Sequence, residues 1–240
     1  MEQKSVQLNK KNTVKIIPTY PKVDLDSDLY AINWFDLKRP WLYDFYNQMA
    51  YPHVQEVGGQ VHFKGRVTKK IKGPDEVDRQ MLLIVKYPNA DQFLKMISNK
   101  MFLYKSVLRL KAVDYFTFGF TKRHDSGPLP LEFPKVYEGG LSYLLYQFKA
   151  HGPQSDSLYA LEQLVISLDM HVHFSGTKAA LIGRSSSEAP LRTQPFLMDG
   201  LALMGSDDEE RFQELINHSS FLELSSQNLS SSLYYLSRTL

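Results

Sequence analysis

Cysteine is absent from all 240 residues, which excludes disulfides, thiolate nucleophiles and cysteine-ligated metals. Charge of one sign is scarce as well: 28 basic side chains stand against 26 acidic ones, a formal net charge of +2. Such a balance leaves no electrostatic footprint for nucleic acid or an anionic membrane. The lysines crowding the start (Lys4, Lys10, Lys11, Lys15) read as a solvated arm. Long apolar runs are missing too. Met81–Val85 and Phe196–Met204 are strand-sized, and Asp199 interrupts the second, whereas a membrane helix needs roughly 20 apolar residues. The N-terminal stretch lacks the apolar block of a signal peptide. These absences predict a cytoplasmic protein with no nucleic-acid or membrane partner. GxGxxG, P-loop, GxSxG and HExxH signatures are lacking, so no cofactor is expected.

Aromatic side chains are plentiful: 14 Tyr and 14 Phe in a chain that is 43% hydrophobic. That much apolar surface can offset the entropy of ordering a globular fold. The chain also repeats itself. Gly58, Gly65 and Arg66 match Gly176, Gly183 and Arg184 at a separation of 118, which also carries His53 onto His171. Phe93, Ile97, Phe102, Leu110 and Tyr115 match Phe212, Ile216, Phe221, Leu229 and Tyr234 at a separation of 119.

Each copy predicts a βαββαβ unit. Leu29–Phe35 and Leu141–Phe148 are β-favouring runs. Leu42, Phe45, Tyr46 and Met49 form a helical stripe, as do Leu158, Leu161, Val165 and Leu168. Gly58 and Gly176 mark the helix exits, and Val61–Val67 and Lys178–Arg184 are second strands. Thr68–Arg79 and Ser185–Thr193 are polar hairpins, followed by third strands Met81–Tyr87 and Phe196–Leu203. Asn89 with Gln92, and Ser206 with Glu209, resemble capping boxes opening a second helix. Val113–Phe120 and Leu233–Leu236 close the copies.

The expected organisation is an N-terminal arm (1–27) whose Val14–Ile17 forms a short edge strand. A first ferredoxin-like repeat (28–123), a linker (124–139) carrying Pro128, Pro130 and Pro134, and a second, diverged repeat (140–240) follow. The fold class is α+β: tandem ferredoxin-like repeats, each a four-stranded antiparallel sheet with helices on one face, stacked sheet on sheet as an intrachain pseudo-dimeric α/β barrel that is open to further oligomerisation.

Tyr43, Tyr46, Pro52, the pair Gly58-Gly59 and the pair Tyr87-Pro88 make a further pattern. In it the first copy resembles a bacterial family catalogued as a domain of unknown function. That family stands beside the EthD-like and antibiotic-biosynthesis-monooxygenase-like families in the dimeric α/β-barrel superfamily. The second copy departs from it, with Met170, Ser175 and Thr177 in place of Pro52, Val57 and Gly59. The resemblance implies a fold in which two units pack sheet to sheet. Its relatives include cofactor-independent oxygenases, isomerases, haem-degrading enzymes and binding proteins, so the fold does not fix the function.

Candidate chemistry is sparse. His53 suits a general base, though a histidine at a helix end also caps free carbonyls. Arg66, repeated as Arg184, suits a carboxylate or phenolate, though an arginine in both copies also suits a structural ion pair. Arg109, aligned with Asn228, belongs to the first copy only, and Asn33 interrupts an apolar strand, where a polar group needs a partner or a wet cavity. His171, His173 and Asp169 fall short of a metal set at a helix-to-strand junction. Asn33, Tyr46, His53, Arg66 and Arg109 are therefore the polar set expected around one cavity. Tyr46 aligns with Leu164 and Asn33 with the region Tyr143–Tyr146, so the site is expected in the first copy. Such a protein would bind a small apolar or aromatic molecule as its partner. The alternative is a cofactor-independent monooxygenase- or isomerase-like enzyme. A cavity above ~300 Å³ lined by that set favours the enzyme, and a sheet interface filled by side chains favours plain binding.

Overall fold

The computed structural model describes residues 14–17, 28–75, 78–124, 142–150, 154–184, 194–195 and 198–238. Most of the expected N-terminal arm, the proline-rich linker and the Ser185–Thr193 hairpin lie outside these residues. The elements run β1 (Val14–Ile17), β2 (Leu29–Leu37), α1 (Pro40–Glu56), β3 (Gln60–Lys72) and β4 (Met81–Tyr87). Then come α2 (Ala90–Ser98), α3 (Lys100–Ala112), β5 (Val113–Arg123), β6 (Ser142–Ala150), α4 (Gln154–Ser167) and β7 (His171–Arg184). The chain finishes with β8 (Gln194–Pro195), β9 (Gly200–Ser206), α5 (Glu209–Asn217), α6 (Ser219–Ser226) and β10 (Asn228–Arg238).

Eight strands close into an antiparallel barrel in the order β7-β9-β6-β10-β3-β4-β2-β5, with β5 returning to β7. The expected α/β barrel is observed: the two four-stranded sheets join at both sides, because β10 pairs with β3 and β5 pairs with β7. Closure removes the free edges that two open sheets would present. Strand β1 adds to the far end of β7, opposite Leu181 to Arg184, as the edge strand foreseen for Val14–Ile17.

Period-two alternation decides which side chain goes where. In β2, Tyr30, Ile32 and Trp34 point into the barrel, while Leu29, Ala31, Asn33 and Phe35 face α1 to α3. The interior is filled by side chains, among them Trp34, Phe63, Tyr143, Phe174 and Tyr234, all at most 2% exposed. Two further apolar layers lie outside it, one under α1 to α3 and one under α4 to α6. No described helix is long and apolar enough to cross a membrane.

Apart from the two-residue β8, the halves share the order β-α-β-β-α-α-β, one helix more than the βαββαβ expected. The extra break is local. Asn99 leaves helical geometry, and its Oδ1 accepts from the backbone N–H of Met101 (2.9 Å) and Phe102, restarting the chain as α3. His218 does the same before α6, its Nδ1 accepting from Ser220. Asn89 caps α2 as predicted, whereas α5 is capped by Asp208 rather than Ser206.

The second strand of the second half is displaced from its expected place. It starts at His171, seven residues before Lys178, so Gly176 lies within a strand and marks no helix exit. His171 is likewise in β7 and is no counterpart of His53, which lies in α1. The backbone fixes the correct correspondence. Gly58 N–H bonds Gln55 O and Gly59 N–H bonds Val54 O, while Asp169 and Met170 bond Ile166 and Val165 in the same pattern. Gly58 and Asp169 both turn to positive φ, +74° and +54°. Both strands then bulge at a histidine, between Val61 and Phe63 and between Val172 and Phe174. The true match is therefore Val61-His62-Phe63-Lys64-Gly65 with Val172-His173-Phe174-Ser175-Gly176, 111 residues apart. In each, glycine leaves room for the preceding phenylalanine: a Cβ on Gly65 would stand 2.5 Å from the Phe63 ring, and one on Gly176 3.0 Å from Phe174.

Candidate functional site

Because the barrel interior is filled, open space appears outside it. A cavity of about 480 Å³ lies between the sheet of the first half and its helices. Its floor comes from β2, β4 and β5 through Ala31, Asn33, Leu83, Val85, Phe116 and Phe118. Helix α1 turns Tyr43, Tyr46, Asn47 and Ala50 toward it, on the i, i+3, i+4, i+7 spacing of one helix face. Tyr87, Phe93, Phe102 and Arg109 complete the wall, while Lys64, Tyr51, Val61 and Arg238 stand on its more accessible side.

Three of the five sequence candidates meet there. Asn33 is 7% exposed, and its Nδ2 donates to Ala31 O and Leu83 O, both at 3.2 Å. Tyr46 is buried beside it in the wall. Arg109 reaches in from α3, its guanidinium 4.6 Å from the Phe116 ring centroid and 5.9 Å from that of Tyr46. Stacking of this kind holds an arginine over aromatic faces without a carboxylate. Arg109 Nε is buried and has no hydrogen-bond partner.

The other two candidates lie elsewhere. His53 sits at the contact of α1 with α3, its Nε2 2.9 Å from Lys105 Nζ and its Nδ1 3.7 Å from Glu56. Phe102 stands edge-on to it and is itself part of the cavity wall. Arg66 is exposed on β3, opposite Met81 and Ser237. Neither lines the cavity.

Asn47, Ala50 and Tyr51 were not singled out in the sequence, although Tyr43 and Tyr46 already marked that helix face. Burial raises the Tyr43 hydroxyl well above the ordinary tyrosine value, with Tyr46 adding to the effect, and burial does the same to Tyr87. Both therefore stay protonated and are able to donate. Tyr43 is hydrogen-bonded to the side chain of Asn47, and Tyr87 to Met96 Sδ at 3.7 Å. Among the described residues, no Asp, Glu or His lines this space.

The corresponding space in the second half is filled. Tyr146 occupies the register position of Asn33, stacks on Phe148 and packs edge-on against Phe221. Asn228, aligned with Arg109 in the sequence, opens β10 where Val113 opens β5, and so is no structural counterpart of Arg109; it donates through Nδ2 to Tyr146 Oη at 3.0 Å. With α4 set by its C-terminal turn, Leu158 and Leu161 replace Asn47 and Ala50, and Ser157 rather than Leu164 falls opposite Tyr46. Glu162 and Ser175 replace Tyr51 and Lys64 and are hydrogen-bonded to each other, with His124 Nδ1 3.4 Å from Glu162.

No family model matches the chain, and no curated protein is detectably similar to it in sequence. Solved structures share its fold. An anthrone oxidase-like protein superposes with a TM-score of 0.51 at 9% identity, over 90% of this chain and 92% of that one. A candidate monooxygenase from Fusobacterium nucleatum does so with a TM-score of 0.50 at 10% identity, over 88% and 92%. Both have the dimeric α/β-barrel fold, and the likeness establishes that fold for this chain.

Proposed function

We propose that the chain binds a small, largely aromatic molecule in the cavity of its first half. The observation that carries this reading is the contrast at one place in the fold. There, Asn33, Asn47 and Ala50 leave about 480 Å³ open, while Tyr146, Leu158 and Leu161 fill the equivalent volume. Packed proteins rarely keep a void of that size unless it is used. Asn33, Tyr46 and Arg109 supply the few polar groups that would orient a ligand on apolar walls. The halves read as products of a tandem duplication, with residues 28–123 and 140–240 forming an intrachain pseudo-dimer of ferredoxin-like units joined by 124–139. On that reading the first unit kept the site and the second kept the packing.

A cofactor-independent monooxygenase- or isomerase-like reaction in the same cavity would need a proton acceptor beside the substrate. Its described wall holds no carboxylate or histidine, and Tyr43 and Tyr87 are held protonated. Binding is the reading these groups support better.

The test is Ala50→Leu, which places the second half's side chain into the first half's cavity. Binding of two- and three-ring aromatic compounds, followed by calorimetry, should be lost while the melting temperature stays within a few degrees of the parent. Affinity unchanged by Ala50→Leu would place the ligand elsewhere and overturn the proposal.

A further inference from the structure

Resting on the reading of the cavity as a ligand site, we infer that its ligand is an organic anion: an aromatic body carrying a carboxylate that meets Arg109. The first support is the state of Arg109 itself. Its guanidinium stands over Phe116 and near Tyr46, it makes no ion pair among the described residues, and its buried Nε lacks a hydrogen-bond partner. Leaving a buried donor unmade is costly, and the cost is larger on a charged group. A carboxylate answers the guanidinium's charge, because its two oxygens match a guanidinium edge with two parallel N–H···O bonds.

Charge gives the second support. Every ionised side chain on the described wall is a cation: half-buried Arg109 over Phe116, with Lys64 and Arg238 toward the accessible side. The Tyr43 hydroxyl keeps its proton and adds a donor. A neutral hydrocarbon would leave Arg109 unanswered, and a cation would be repelled. An anion whose rings lie on Phe93, Phe102 and Phe118 satisfies both walls at once.

The experiment is calorimetric titration of the full chain with 2-naphthoate and anthracene-2-carboxylate, each beside its neutral amide. Arg109→Met keeps the side chain's length and its contact with Phe116 while removing the charge. The carboxylates should bind at least tenfold more tightly than their amides, and Arg109→Met should erase that preference. Thermal unfolding of Arg109→Met in the absence of ligand confirms the fold, and Arg109→Lys, which keeps the charge without the fork, should restore part of the preference. Equal binding of acid and amide, unchanged in Arg109→Met, would overturn the anion assignment and leave the cavity reading standing. No binding of either class would overturn both.

Discussion

The two helix–sheet layers of this barrel are built on one plan and end in opposite states. Under α1 to α3 the sheet carries Asn33, and a cavity opens above it; under α4 to α6 it carries Tyr146, and the space is closed. Three exchanges mark the difference: Asn33 against Tyr146, Asn47 against Leu158 and Ala50 against Leu161. Each places more apolar volume in the second half, where Asn228 also donates to Tyr146 Oη. The accessible side differs too, since Glu162 and Ser175, hydrogen-bonded to each other, take the places of Tyr51 and Lys64. The barrel frame tolerates either state. A site in this fold is thus decided by side-chain volume in the outer layer, with the strands unchanged.

The largest effect we expect lies where the halves agree. His62 and His173 face each other inside the barrel, ring centroids 5.5 Å apart, each at the bulge of its strand. Burial, then the charge of Arg123, lowers His62 from the ordinary 6.5 to about 4. Burial, then His62 itself, lowers His173 to about 3, with Arg238 and His171 acting in the same direction. Both states are neutral above pH 6.5, so stability is full there. As pH falls below 6.5 the unfolded chain takes up protons that the native state refuses. Stability is then lost at up to about 1.4 kcal/mol per pH unit for each histidine, until the native values are reached. Urea midpoints measured from pH 7 to pH 4 check this, and changing both histidines to Phe should flatten the curve. An unaltered slope would assign the acid sensitivity to other groups.

A smaller effect separates the halves. Leu161→Ala gives the second half the side chain of the first, and should cost about 2–5 kcal/mol, since Leu161 is 1% exposed in a filled layer. Denaturant titration measures it. A cost below 1 kcal/mol would mean that the second layer is as loosely packed as the first. The smallest effect is reserved for His53→Ala. Losing the 2.9 Å contact with Lys105 should cost on the order of 1 kcal/mol or less, because Lys105 keeps its bond to Met49 O. Ligand affinity should not change. A clear loss of affinity would return His53 to the site for which its sequence made it a candidate.

Much of the frame was readable residue by residue. The period-two run Leu29–Phe35, the helical stripe through Leu42 and Tyr46, and the Asn89 cap all act locally, and local signals carry over into the fold. The second half was misaligned for a definite reason. Its β7–β9 connection is eight residues longer than the β3–β4 connection, so the separation changes from 111 before it to 119 after it. A single separation of 118 bridges that change by pairing glycines of different kinds: Gly58 at a helix end, Gly176 within a strand. The shared Val-His-Phe-x-Gly pattern was the better guide. Asn33, Tyr46 and Arg109 stood out because polar groups in apolar runs do. The cavity itself was hidden, since Ala50 and Leu161 are equally apolar on a helical stripe and differ only in size. The barrel was legible through the family resemblance, whereas the pairings that close it join strands far apart in the chain and leave no local signal.

That distant pairing bears on how the molecule is made. Arg66 in β3 bonds across to Ser237 in β10, 171 residues later. At the usual 5–20 residues per second, a ribosome needs about 10–30 s to supply the partner. Throughout that interval β3 is an open template on which a neighbouring nascent chain could dock. Its sequence carries the deterrent: Lys64, Arg66, Lys69, Lys70 and Lys72 place like charge along the waiting strand, repelling any second copy that approaches it. In the finished barrel the same row accepts β10, whose Leu233 to Ser237 are uncharged and whose one cation, Arg238, falls opposite Gly65 at the end of the pairing. The lysine row thus acts in time as well as in space, keeping the seam vacant for the strand that arrives last.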